Sequence, residues 1–173
     1  MFCFQGRHGM SRAKNNSGVT LMELMIVIVI IGLMAAVALP NMVPLVEMTK
    51  LRTAANTIKR QMIVARTRAL ADPYKHVGVY VNIKTTPHKA FIFFDTGTNP
   101  YHYDAADAVY WGSYEVPKNI QISIPGSGGV TDSTVVFRGD GSAKNGGAIV
   151  LTNRYGKTRT VNVLASTGRV KMY

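Results

Sequence analysis

Hydrophobic residues fall into three regimes along the chain. Residues 24–39 are apolar or glycine without a break. Beyond Pro40, the residues Leu45, Met48, Leu51, Ala55, Ile58, Met62, Ala65 and Ala69 recur at spacings of three and four. That is the stripe of an amphipathic helix. The opposite face is basic, with Lys50, Arg52, Lys59, Arg60, Arg66 and Arg68. Pro40 and Pro44 each remove a backbone donor, which predicts a bend or local loosening. Asp72-Pro73 is a natural stop. From residue 77 the period becomes two: Val77, Val79, Val81 and Ile83 alternate with polar or small residues, and so do Ile120, Ile122 and Ile124. Residues 90–94 are wholly apolar, as in a strand covered on both faces. Further strands are expected at 134–137, 148–152, 158–164 and 169–173. The turns between strands are Gly126-Ser127-Gly128-Gly129, Gly139-Asp140-Gly141, Gly146-Gly147, Tyr155-Gly156 and Thr167-Gly168. Residues 96–108 show no period and are expected to form a loop.

This pattern predicts an α+β chain, one long N-terminal helix leading into an antiparallel β domain. Composition sharpens it. The 173 residues carry a net charge of +11, and the last 33 contribute +6 with no acid among them. Such a surface favours polyanions, nucleic acid or anionic lipid. Cys3 is the only cysteine, so no intramolecular disulfide forms and packing alone holds the fold. No metal-ligand spacing, phosphate loop or long repeat is present, which predicts no cofactor. His102, Asp104 and Asp107 lie in the aperiodic stretch, where solvated side chains are expected rather than a metal or acid–base site. Without a convergent catalytic set, no enzyme activity is expected. Arg138-Gly139-Asp140 precedes a glycine and reads as turn chemistry.

The apolar block poses a sharper problem. Residues 21–39 extend roughly 28 Å as a helix, close to the thickness of a bilayer core. Arg7, Arg12 and Lys14 precede it and predict that this end stays in the cytoplasm. A cleaved secretory signal ending at Ala36-Val37-Ala38 and a plain single-pass anchor both accommodate the apolar run. Neither accounts for Glu23, an ionisable residue inside a span.

The words SGVTLMELMIVIVIIGLMAAVALP resemble the leader of type IV prepilins and type II secretion pseudopilins. That resemblance implies a leader over residues 1–18 and an N-terminal helix over 19–70. The helix would comprise a transmembrane and assembly half, 19–39, and an amphipathic half, 40–70, followed by a β domain over 71–173. It implies cleavage after Gly18 by a prepilin peptidase and methylation of the new N-terminus, Val19, where the family usually has phenylalanine. Glu23 falls at the family's glutamate and Pro40 at its proline. The implied fold is pilin-like, and the implied role of Glu23 is pairing with the terminal amine of a neighbouring subunit. The alternative for Glu23 is snorkelling to the headgroups. The implied location is the bacterial inner membrane, single pass, with the C-terminal domain periplasmic and later part of a filament. The implied partners are other pilin or pseudopilin subunits, the peptidase and inner-membrane lipid.

Downstream, IVARTRALADPYKHVGVYV and RTVNVLASTGRVKMY are similar to H-type minor pseudopilins and FimT-type minor pilins, through Ala65-Arg66 and Gly168-Arg169-Val170. FimT-type pilins that bind DNA carry Gly-Arg-x-Arg at this place. Here Lys171 replaces the second arginine, keeping the charge and losing the planar fork. The resemblance therefore implies DNA as a further partner, with Arg154, Lys157, Arg159, Gly168, Arg169 and Lys171 as candidate contacts. The alternative is a hairpin whose solvent face happens to be basic. Period two places Arg169, Lys171 and Tyr173 on one strand face.

Overall fold

The computed structural model describes residues 18–125 and 133–173, without the side chains of 38–41. The expected leader, apart from Gly18, and the turn at Gly126-Ser127-Gly128-Gly129 lie outside the described residues. One helix, α1 (Leu21–Ala71), is followed by eight strands: β1 (Val77–Asn82), β2 (Lys89–Phe94), β3 (Ala108–Glu115), β4 (Ile120–Ser123), β5 (Thr134–Phe137), β6 (Gly147–Asn153), β7 (Thr158–Leu164) and β8 (Arg169–Met172). The chain divides into two units, Met1–Asn41 and Met42–Tyr173.

In the first unit, Thr20 caps α1: its Oγ1 accepts the Glu23 amide at 3.2 Å. The helical residues from Leu21 to Val37 are exposed throughout. Among the described residues no single helix is long and apolar enough to cross a membrane. The segments Leu21–Val37 and Met42–Ala71 meet that test only as a pair.

The second unit is an α+β layer structure with a single core. Its strands form two antiparallel sheets, ordered β3-β2-β1-β5 and β4-β6-β7-β8. From α1, Leu51, Ala54, Ala55, Ile58, Met62, Ala65 and Ala69 enter a core shared with Val77, Val79 and Val81 of β1 and with Ile149 and Leu151 of β6. The small residues among them bring the helix backbone close to the sheets. Gln61 anchors the contact, donating from Nε2 to the carbonyl of Ala90 at 3.1 Å.

The helix stripe differs from expectation at its start. Leu45 and Met48 are 60% and 44% exposed, whereas Glu47 is only 3% exposed. The reason is local polarity. Oε1 of Glu47 accepts from Lys50 Nζ at 3.1 Å and from Asn119 Nδ2 at 3.4 Å. These two donors offset the burial of one carboxylate oxygen, while Oε2 is buried without a partner.

The apolar run at β2 is covered on both faces, in keeping with its composition. The pairings Val79↔Ile92 and Val81↔Ala90 lie toward the core, while Gly78↔Phe93 and Tyr80↔Phe91 lie on the other face. There Tyr103, from the segment after β2, packs 4.9 Å from Phe91 and 5.2 Å from Phe93, ring centre to ring centre. The ring of Phe93 fills the place where a side chain on Gly78 would stand.

Strand β3 was not expected. It is an outer strand, exposed along nearly its whole length, so it lacks the one-sided alternation that marks a half-buried strand. Pairing with β2, not its own pattern, makes it a strand. Two register shifts along that ladder show β-bulges.

Candidate functional site

Gly18, Val19 and Thr20 are exposed and precede the first turn of α1, leaving the Gly18–Val19 bond outside the helix. Glu23 lies in that first turn. A carboxylate there also interacts favourably with the positive end of the helix dipole, and Thr20-x-x-Glu23 has the spacing of a capping box. The sequence contained that signal, beside the assembly role implied by resemblance. Pro40 falls within α1, next to the boundary between the two units.

The basic candidates at the other end of the chain do not share one surface. In β8, Arg169 and Lys171 are exposed while Val170 and Met172 are partly covered. The ladder pairs Lys171 with Asn162 and Arg169 with Leu164. Thr160 and Tyr173 exchange backbone hydrogen bonds of 3.0 and 2.9 Å, extending the pairing to the last residue. Directly paired residues project to the same side of a sheet. Arg169, Lys171, Tyr173, Asn162 and Leu164 thus line one shallow depression of about 160 Å³. Tyr173 is 65% exposed at its border.

Arg159 has the opposite parity in β7. It belongs with the buried Val161 and Val163 and, with Lys157, borders a cavity beside Met48 and Leu51 of α1. Arg154 occupies the β6–β7 turn, where its guanidinium lies 4.9 Å from the centre of the Tyr155 ring and donates to the Tyr155 hydroxyl at 2.9 Å. Its charge also helps lower the pKa of Glu47. The six candidates therefore divide into an outer-face group around Arg169 and Lys171 and a second group near the start of the amphipathic helix.

Gly168 shapes the turn that presents the outer-face pair. Its φ is +60°, and an added Cβ would collide with the carbonyl oxygen of Gly141. Its amide donates to the carbonyl of Leu164 at 2.8 Å.

The loop carboxylates are not simply solvated. Asp107 is buried and accepts the amides of Thr96, Gly97 and Asp104 at 2.9, 2.7 and 2.9 Å. Asp104 accepts those of Thr98, Asn99 and Ala106. Desolvation acts to raise the pKa of Asp104, but these amides together hold it below its usual value. A segment without a ladder partner must satisfy its amide donors some other way, and these side chains do so. At Arg138-Gly139-Asp140, Oδ1 of Asp140 accepts from the amide and hydroxyl of Ser142 at 2.8 and 2.6 Å, a closed turn.

The model of the prokaryotic N-terminal methylation motif matches residues 13–39. No curated protein matches the chain in sequence. Among solved structures, the minor pseudopilin EpsH from the type 2 secretion system of Vibrio cholerae is similar with a TM-score of 0.52 and 9% identity, covering 72% of this chain and 96% of that one. The type IV minor pilin FimU of Pseudomonas aeruginosa is similar with a TM-score of 0.54 and 13% identity, covering 75% and 92%. At such identities the likeness is one of fold. The chain thus carries a prokaryotic N-terminal methylation motif and, beyond it, shares its fold with a minor pseudopilin and a type IV minor pilin.

Proposed function

We propose that the chain is a minor subunit of a type II secretion or type IV pilus filament. It is made as a precursor, cut after Gly18 and methylated at Val19 by a prepilin peptidase, then incorporated at or near the filament tip. The observation that carries this reading is the methylation motif, joined to an apolar helix exposed from Leu21 to Val37. A helix of that kind is stable only in lipid or against other apolar helices, and a filament provides the second after the first. Cleavage leaves a cationic amine four residues from Glu23, and a carboxylate in an apolar bundle is tolerated when paired. Only one axial offset between neighbours neutralises both charges, so the pair sets register. Mass spectrometry of the membrane fraction tests it, with a methylated chain starting at Val19 expected and a start at Leu39 excluding it.

A second reading, a DNA-binding minor pilin serving DNA uptake, is favoured by one arrangement: Arg169, Lys171 and Tyr173 on a single exposed face. Two cations at strand spacing suit successive phosphates, and an exposed aromatic ring suits base stacking.

A further inference from the structure

Strand β3 borders a groove that neither processing nor the basic C-terminal face uses. β3 is the outer strand of its sheet, and among the described residues its ladder partner is β2 alone. Two adjoining cavities of about 270 and 300 Å³ lie between β3 and the solvent-facing side of α1, and Val64 lines both. Trp111 and Tyr110 form the strand-side wall, and Ile63 extends the apolar floor. Trp111 is 57% exposed. Arg60 and Arg68 stand at the rim, with the Arg68 guanidinium 5.0 Å from the centre of the Tyr110 ring. No carboxylate lines either cavity. The acid on β3, Glu115, is engaged by Lys89 at 2.8 Å. Below the rim, Oε1 of Gln61 is buried without a partner.

Exposed tryptophan, tyrosine and arginine around a small apolar hollow are the residue types that dominate binding energy at protein interfaces. The two bulges interrupt the outer edge as a template for strand addition, so side chains rather than a continuous ladder select the occupant. A second copy of this chain is a poor match. At a net charge of +11 it would set one arginine-lined helix face against another. Duplex DNA supplies phosphates for the arginines but no aliphatic or aromatic anchor for Val64 and Ile63.

We infer that the groove between α1 and β3 docks an acidic segment of another protein. An apolar side chain of that segment seats beside Trp111, and its carboxylates meet Arg60 and Arg68. This holds whether or not the chain joins a filament.

Trp111 is the only tryptophan, so its emission reports on this groove alone. The experiment selects a displayed library of random peptides on the full chain in detergent micelles, then titrates the enriched peptides, made synthetically, against Trp111 fluorescence. The expected winners combine aspartate or glutamate with an aromatic or aliphatic residue and shift the emission saturably. Arg60→Glu with Arg68→Glu weakens them about tenfold, the scale for reversing two exposed charges. Both residues are exposed, so circular dichroism stays unchanged. Lys75→Glu with Lys84→Glu, an equal charge change at exposed positions elsewhere, leaves binding intact. Neutral or basic winners, binders silent at Trp111, equal loss in the control variant, or displacement of the peptides by duplex DNA would each overturn the inference.

Discussion

The Nε–H of Arg66 donates to the carbonyl oxygen of Gly141 at 3.0 Å, joining the end of α1 to the turn after β5. The same oxygen occupies the space into which a Cβ on Gly168 would project. The helix-end Ala65-Arg66 and the turn-strand Gly168-Arg169-Val170 are therefore in one assembly, with the Gly139-Asp140-Gly141 turn between them. Ala65 is buried in the core, and its neighbour Arg66 makes the bond to Gly141. These two short words, far apart in sequence, describe one packed corner.

Gly168→Ala is expected to destabilise the protein by roughly 2–3 kcal/mol, combining a left-handed backbone with a collision against a carbonyl. Arg66→Ala should cost about 1 kcal/mol, the loss of one partly exposed hydrogen bond. Arg66→Lys should recover little of it, because an ammonium cannot place a donor where Nε lies. Urea denaturation of the three variants checks the order. Equal stability of Gly168→Ala and wild type would show that the turn relaxes freely.

Acid should weaken the fold, and Glu47 should contribute. The hydrogen bond from Lys50 holds its pKa below the usual 4.5, against desolvation that acts to raise it, with Asn119 and Arg154 also lowering it. Glu115, bonded to Lys89, and Asp140, bonded to Ser142, are lowered as well. A carboxylate with a depressed folded-state pKa binds fewer protons folded than unfolded. Its contribution is full above about pH 5 and is lost as pH falls through 4 and below. The unit Met42–Tyr173, expressed alone, should be soluble and show this decline by denaturation between pH 6 and 3. Glu47→Gln should make the decline shallower. A Glu47→Gln unit that gains stability at neutral pH with the same acid slope would mean that burial outweighs the pairing.

The elements that proved legible are those whose own side chains meet the core. From Leu51 onward the helix stripe is the buried face, and β1 alternates as it packs. Glu47 was not legible, because three and four residue spacings from Leu51 lead back equally to Met48 and Glu47. The choice rests on Asn119, distant in sequence. β3 was hidden because Val109, Tyr110 and Trp111 are consecutive and all exposed, so no period-two signal exists. Gly168 was legible as a turn residue, but its second requirement, room for the Gly141 carbonyl, belongs to another part of the chain. The parity of β7 was readable and sets Arg159 on the opposite strand face from Asn162 and Leu164. The order of β7 beside β8, which sets Asn162 against Lys171, required the structure.

Glu23 separates capping from assembly. The Thr20–Glu23 contact contributes to the first turn of α1, and its loss should fray that turn by about 1 kcal/mol at most. Glu23→Gln retains a side chain able to cap and removes the charge. If pairing with a neighbour's amine governs assembly, Glu23→Gln should insert normally, be processed normally and yet fail to enter filaments. Thr20→Ala should assemble. Quantitative immunoblotting of sheared filaments against membranes reads both. Normal entry of Glu23→Gln would confine the residue to its local role.

Nucleic-acid binding has a quantitative signature set by where the cations lie. Each phosphate contact on duplex DNA contributes roughly 0.9 to the slope of log affinity against log salt. Arg169 and Lys171 share one face, so a site there should give a slope of about −2 with little sequence preference. Arg169→Ala with Lys171→Ala should then bring the slope close to zero, and Tyr173→Ala should weaken single-stranded more than duplex DNA, since stacking needs an unpaired base. Arg154→Ala with Lys157→Ala, on the group near Met48, should leave the slope within about half a unit of wild type. Fluorescence anisotropy across a salt series measures all four proteins. If that second double variant abolishes the slope while Arg169→Ala with Lys171→Ala does not, the anion-binding surface lies beside α1. The β8 face would then be a solvated strand with no role in DNA uptake.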